Sequence, residues 1–160
     1  MDTGDLVEDF VLPDESGAPR RLSDLLAAGP IVLFFYPAAM TTGCTKESCH
    51  FRDLRDEFAA VGAQPVGISG DQVDKQAQFS AKHSFGYPLL SDPDRVVAGQ
   101  LGVSRGLLGL SPLKRTTFVI DTDRRILARI ASEFRMNSHA DEALEVLKAR
   151  AARSKEIPPA

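Results

Sequence analysis

Cysteine is scarce in this chain: its 160 residues include only two, Cys44 and Cys49. That count excludes a disulfide-dense secreted scaffold, which needs several bridges to hold a small core together. An excess of positive charge is missing too. Nineteen lysines and arginines against 22 aspartates and glutamates leave a net charge of −3, no electrostatic footprint for nucleic acid or an anionic membrane. No apolar run approaches the roughly 18 residues that a membrane span requires. The N-terminus, Met1-Asp2-Thr3-Gly4-Asp5, lacks the basic and apolar regions of a secretory signal. Internal repeats and linker-like stretches are also missing. With 43% hydrophobic and 26% charged residues, the composition predicts one globular domain over 1–150, with a tail at 151–160 expected to fray. A cytosolic setting is expected, and there a pair of cysteines is more often catalytic than structural.

What is present supports a redox reading of that pair. Ile31-Val32-Leu33-Phe34-Phe35-Tyr36 has the length and composition of a fully buried strand. The segment from Pro37 to Cys49 then turns from strand into helix. A thiol in the first turn of a helix meets the positive end of the dipole and unpaired N–H groups, both of which favour the thiolate. A second thiol close behind gives an oxidised sulfur a partner for condensation.

Periodicity and turn signals set out the remaining elements. A hairpin is predicted over 10–22 around Pro13-Asp14-Glu15-Ser16-Gly17, and a short helix starts at Ser23 and stops before Gly29-Pro30. One helix is expected over about 43–61, with Phe51, Leu54, Phe58 and Val61 on its buried face and Gly62 closing it. A strand over 64–69 precedes a helix to about His83, capped by Gly70-Asp71, with Val73, Ala77 and Phe79 inward. A short strand at 87–90 leads through Ser91-Asp92-Pro93 into a helix burying Val96, Val97 and Leu101. Strands at 116–120 and 126–130 flank a turn, and a final helix over about 138–150 turns Ala143, Leu144 and Leu147 inward. This order describes an α/β protein: a mixed central β-sheet with helices on both faces and an N-terminal β-hairpin. Active sites in such sheets lie beyond the carboxyl ends of strands, where Cys44 falls.

The run Phe35-Tyr36-Pro37, Thr41, Cys44-Thr45-Lys46-Glu47-Ser48-Cys49 and Arg52-Asp53 resembles the active-site signature of the peroxiredoxins, and within them the bacterioferritin-comigratory, PrxQ-like branch. The likeness continues through residues 88–93, through Arg115-Thr116-Thr117-Phe118-Val119-Ile120-Asp121 and into the helix after His139. The resemblance implies a thioredoxin-like fold and a peroxidase that needs no cofactor and no metal. It makes Cys44 the peroxidatic cysteine, left as a sulfenic acid after the O–O bond breaks. Thr41 matches the residue whose hydroxyl bonds the thiolate and the peroxide, besides capping the helix. Pro37 matches the residue that shields the sulfur, and Arg115 the arginine that favours the thiolate and polarises the peroxide. Cys49 takes the place of the resolving cysteine, regenerated by thioredoxin or a related dithiol protein. The substrate is a hydroperoxide, and members of this branch are often monomeric.

Helical geometry constrains that pairing. In a regular helix the Cα atoms of residues 44 and 49 are about 7.5 Å apart along the axis and point about 140° apart. A disulfide needs converging side chains and Cα atoms within about 7 Å. Oxidation is therefore expected to unwind the helix around 44–50. Thr42 stands where relatives commonly carry proline, which predicts a looser entry into the helix. Glu47 and Arg52 are read as a supporting network, with plain surface charges as the alternative. His50, His83 and His139 share no metal-ligand spacing. Leu107, Leu108, Leu110 and Leu113 are read as core covering, with a site mouth or a dimer contact as further readings. Competing functions are a thiol–disulfide oxidoreductase, which ordinarily carries Cys-x-x-Cys, and a redox sensor using the same two thiols.

Overall fold

The structure, a computed structural model, describes residues 1–104, 113–132 and 135–156. Val11–Pro13 (β1) and Pro19–Arg21 (β2) pair antiparallel as the expected hairpin. Leu22–Leu25 (α1) passes into a single 3-10 turn, and Ile31–Phe35 (β3) enters the centre of the sheet. There follow Thr42–Asp53 (α2), Arg55–Ala60 (α3), Gln64–Ser69 (β4), Val73–His83 (α4), Leu89–Ser91 (β5) and Val96–Gln100 (α5). Thr116–Ile120 (β6), Ile126–Ala131 (β7) and Met136–Glu156 (α6) complete the chain.

The strands form one five-stranded sheet in the order β5-β4-β3-β6-β7. β3 runs parallel to β4 and β4 to β5, whereas β6 is antiparallel to both β3 and β7. β3 is buried on both faces, as its unbroken apolar run requires. Ile31, Leu33 and Phe35 join a core with Val7, Phe10, α1 and α5; Val32, Phe34 and Tyr36 join a second core with α2, α4 and α6. Pro65 is tolerated within β4 because β5 pairs only with Gly67–Ser69, which leaves the proline at an edge. Gly29, at φ 146°, lies so near the Gly62 carbonyl that a Cβ there would collide with it.

Several boundaries differ from the sequence expectation. The first helix begins at Leu22, and Ser23 is not its cap: the Ser23 amide and hydroxyl instead donate to Asp9 at 2.9 and 2.8 Å. The single helix expected over 43–61 is broken at Leu54 (φ −98°, ψ 6°). Arginines on both sides of the break are tied to the exit of α4, Arg52 Nη1 to His83 O at 2.8 Å and Arg55 Nη1 to Phe85 O at 3.0 Å. In α4 the buried positions are Gln76 and Phe79, because the Gln76 amide is taken up by Tyr36, Ser69 and Leu90. Val96 is 58% exposed, while Val97 and Leu101 are buried as expected. Asp92 sets that register by accepting the amides of Val96 and Ala98 at 3.0 and 2.9 Å. The last helix continues past Arg150 to Glu156. Leu113 is core; Leu107, Leu108 and Leu110 lie outside the described residues.

Candidate active site

The site forms where β3 hands the chain to α2. Tyr36 extends β3 by donating its amide to Ile68 O at 3.1 Å, and its buried phenol donates to Gln76 Oε1 at 2.5 Å. Two residues after the half-buried Pro37, the Ala39 amide donates to Asp71 Oδ2 at 2.7 Å. The Ser69 hydroxyl donates to the same oxygen, also at 2.7 Å, so the loop is pinned to the end of β4. Met40 follows at φ 70°, a left-handed conformation uncommon for residues that carry a side chain. Thr41 is the N-cap residue of α2, and its carbonyl accepts the Thr45 amide. Its side chain makes no cap bond; the exposed hydroxyl donates to Ala38 O at 2.8 Å and so serves the loop rather than the helix or the thiol.

Cys44 is the third residue of α2, in the first turn, and is 1% exposed. Arg115 Nη2 lies 3.3 Å from its Sγ. The contact is a product of register: Phe35 pairs with Thr116, so the residue before β6 emerges beside the end of β3. Gly43 leaves room for it, since a Cβ there would stand 3.4 Å from Arg115 Nη2 and 3.2 Å from Met136 Cε. Arg115 Nη1 donates to Glu47 Oε1 at 3.2 Å. Glu47 lies one turn beyond Cys44, is completely buried, and its other oxygen is 3.8 Å from His139 Nε2. His139 is buried as well, with Nδ1 2.8 Å from the Thr117 hydroxyl and Nε2 donating to Ser132 O at 2.9 Å. Burial works against the Arg115 charge, but Glu47 and Cys44 outweigh it and hold the guanidinium above its ordinary value. A buried cation thus faces the sulfur, fixed from behind by a buried carboxylate. Negative charge developing at or near that sulfur meets preorganised donors in a site shielded from water.

Cys49 points elsewhere. Both cysteines lie on one unbroken helix, α2. The half-buried Cys49 faces α4, its Sγ 3.8 Å from His83 Nδ1. Burial pushes its thiol up, partly offset by Arg52. Arg52 is not a plain surface charge: besides the His83 carbonyl it holds Asp53 Oδ1 through Nε and Nη2, at 3.1 and 3.0 Å. The three histidines fall in three settings, with His50 on Asp141 at 2.8 Å, His83 at Cys49 and His139 at Thr117.

Sequence reasoning brought Cys44 and Arg115 to one site but missed His139 and Asp71 as its supports. The spacing of Cys44 and Glu47, three residues apart on a helix, was an available signal for a shared face. Nothing local marks Asp71, which reads as an ordinary helix-start residue.

The chain matches the AhpC/TSA family model over residues 3–129. It is 66% identical over 150 residues to a peroxiredoxin of Mycobacterium tuberculosis, which covers 93% of this chain and 97% of the relative. With Escherichia coli K12 peroxiredoxin Bcp the identity is 35% over 155 residues, covering 94% and 98%. The crystal structure of peroxidoxin BcpB from M. tuberculosis, also 66% identical, superposes with a TM-score of 0.90 over 93% of this chain and 97% of that one. A variant of Xylella fastidiosa PrxQ gives 0.85 at 30% identity, over 94% and 98%. Sequence and fold agree along most of the molecule: the chain belongs to the AhpC/TSA family, as a thiol-dependent peroxidase of the Bcp/PrxQ branch of peroxiredoxins.

Proposed function

We propose that Cys44 is the peroxidatic cysteine and Cys49 the resolving one. The Cys44 thiolate attacks the terminal peroxide oxygen, the O–O bond breaks, and the leaving oxygen departs as water or an alcohol after taking up a proton. Cys44 is left as sulfenic acid. The Cys49 sulfur displaces the hydroxyl of that acid, giving an intramolecular disulfide and water. Arg115 stabilises the charge that moves from sulfur to the departing oxygen. Pro37 shields the sulfur, and the Thr41 hydroxyl leaves Ala38 to bond the incoming peroxide. The observation that carries this reading is the 3.3 Å contact between Arg115 and Cys44, backed by the buried Glu47.

Hydrogen peroxide and organic hydroperoxides are the proposed substrates. A bacterioferritin comigratory protein of Xanthomonas campestris, 31% identical with a TM-score of 0.80, is described with alkyl peroxide reduction activity. The reductant is thioredoxin or a related dithiol protein, acting on a monomer in the cytosol. Among the described residues no helix is long and apolar enough to cross a membrane.

Turnover of hydroperoxide with thioredoxin and its reductase tests the proposal. Cys44→Ser should be inactive. Cys49→Ser should consume about one equivalent of peroxide and then stall unless a small thiol is supplied. A protein that reduces insulin disulfides while leaving peroxide untouched would instead be a thiol–disulfide oxidoreductase.

A further inference from the structure

His83 is the last residue of α4, followed by Ser84 in the left-handed conformation (φ 49°) that ends the helix. Its ring is held in an aromatic slot, stacked on Phe85 with centroids 5.4 Å apart and an interplanar angle of 24°, and edge-on to Phe79 at 5.6 Å and 85°. Its backbone carbonyl is clamped by Arg52 from α2. With backbone and ring both fixed, Nδ1 is presented to Cys49 Sγ at 3.8 Å. The mechanism above makes no use of this contact.

We infer that His83 is the general base for the resolving step: its Nδ1 takes the proton of Cys49 while that thiol still sits between α2 and α4. The inference rests on the proposed resolving role of Cys49. The thiol proton passes to Nδ1, and α2 then opens to release the thiolate. The Cys49 sulfur attacks the sulfenic sulfur of Cys44, forming the S–S bond and breaking the S–O bond. The departing hydroxide takes the proton from the imidazolium, giving water and a neutral ring. Cys49 is oxidised, the Cys44 sulfur is reduced, and no further reactant is needed.

The charged surroundings suit a base and its thiolate. Facing the pair are Arg52 and Asp53 from α2, Lys82 from α4, and the Tyr87 phenol from the segment that follows. Burial, Lys82 and Arg52 hold His83 below its ordinary value of 6.5, so near neutral pH the ring is uncharged and able to accept a proton. The same Arg52 favours the negative form of Cys49 against burial and Asp53. A half-buried thiol held up by burial is the kind that needs a neighbouring base.

The test separates the two chemical steps. Reduced protein is mixed with one equivalent of hydrogen peroxide, quenched at intervals with an alkylating agent, and mapped for sulfenic acid and for the Cys44–Cys49 disulfide. In the unaltered protein, disulfide formation should slow as pH falls through the His83 titration, below 6.5. His83→Asn and His83→Phe should slow it at neutral pH by about tenfold or more relative to oxidation of Cys44 in the same samples. The deficit should close as pH rises towards the thiol's own titration, and added imidazole should reduce it. Variants that resolve at the unaltered rate would overturn the inference. So would a deficit that is equal at every pH and indifferent to imidazole, which would mark a packing role. Should neither variant fold, a pH profile of the unaltered protein with no break in the imidazole range overturns it alone. If that protein forms no Cys44–Cys49 disulfide, the resolving role of Cys49 has failed, and that outcome is read directly from the map.

Discussion

At the scale of single residues, the site depends on Arg115 holding Cys44 and Glu47 at once. One arm of its fork reaches Cys44 and the other Glu47, both on the same face of α2. Lysine carries the charge but has no planar fork, so Arg115→Lys cannot hold both contacts. Oxidation of Cys44 by peroxide is expected to slow on the order of a hundredfold, the usual cost of losing a preorganised donor. Competition kinetics against a reference peroxidase reads this directly. Glu47→Ala removes the carboxylate side of a buried ion pair whose two side chains are 6% and 0% exposed. Breaking a buried pair from one side costs about 3–5 kcal/mol, to be checked by urea unfolding of the reduced protein. The sequence made Cys44, Arg115 and the Glu47 support legible because motif and helical spacing are local properties. It misled on Thr41 only as a side-chain cap, since the hydroxyl donates instead to the backbone carbonyl of Ala38 three residues back. It did not place His139 at the site, because that depends on α6 packing its ring against Thr117 of β6.

At the scale of elements, α2 is where fold and function pull against each other. It is continuous from Thr42 to Asp53 with both thiols on it, so the five-residue spacing that supplies the proposed resolver also forbids closure of the intact helix. Hydrogen exchange should therefore show amides 44–50 losing protection on oxidation, with some loss of helical circular dichroism. Equal protection in both states would refute the helix-opening account. The start of this helix is secured from outside. Asp71 accepts the Ala39 amide, which fixes the loop three residues ahead of Thr42. Asp71→Ala removes a bond to a charged group worth about 1.5–3 kcal/mol; faster exchange at Ala39 and slower peroxide oxidation are the expected signs. Element types were readable from periodicity throughout. Boundaries failed where a side chain bonded a segment remote in sequence, as with Asp9 at Ser23 and with Arg52 and Arg55, either side of Leu54, on the carbonyls of His83 and Phe85.

At the scale of the whole molecule, a sheet whose central strand is buried on both faces carries the site at one end, and α6 packs on one of those faces. Asp121 ties that helix to the end of β6, accepting from Arg150 Nε at 3.1 Å. Burial opposes the charge on Asp121, but Arg150 and the Thr122 amide outweigh it and hold the carboxyl below 3.8. A carboxyl lowered on folding contributes stability above its unfolded value and loses it as pH falls through the folded one. Asp121→Asn should therefore unfold at lower urea than the unaltered protein near neutral pH, with the gap closing under strongly acid conditions. A gap independent of pH would mean that the charge is not the source. The proposed chemistry gives the two thiols of one helix unequal roles. Its most direct test is peptide mapping of Cys49→Ser after one equivalent of peroxide with dimedone present. The expected result is a dimedone adduct on Cys44, matched in the unaltered protein by a Cys44–Cys49 disulfide and little adduct. A Cys44 left unmodified, with peroxide still consumed, would contradict it.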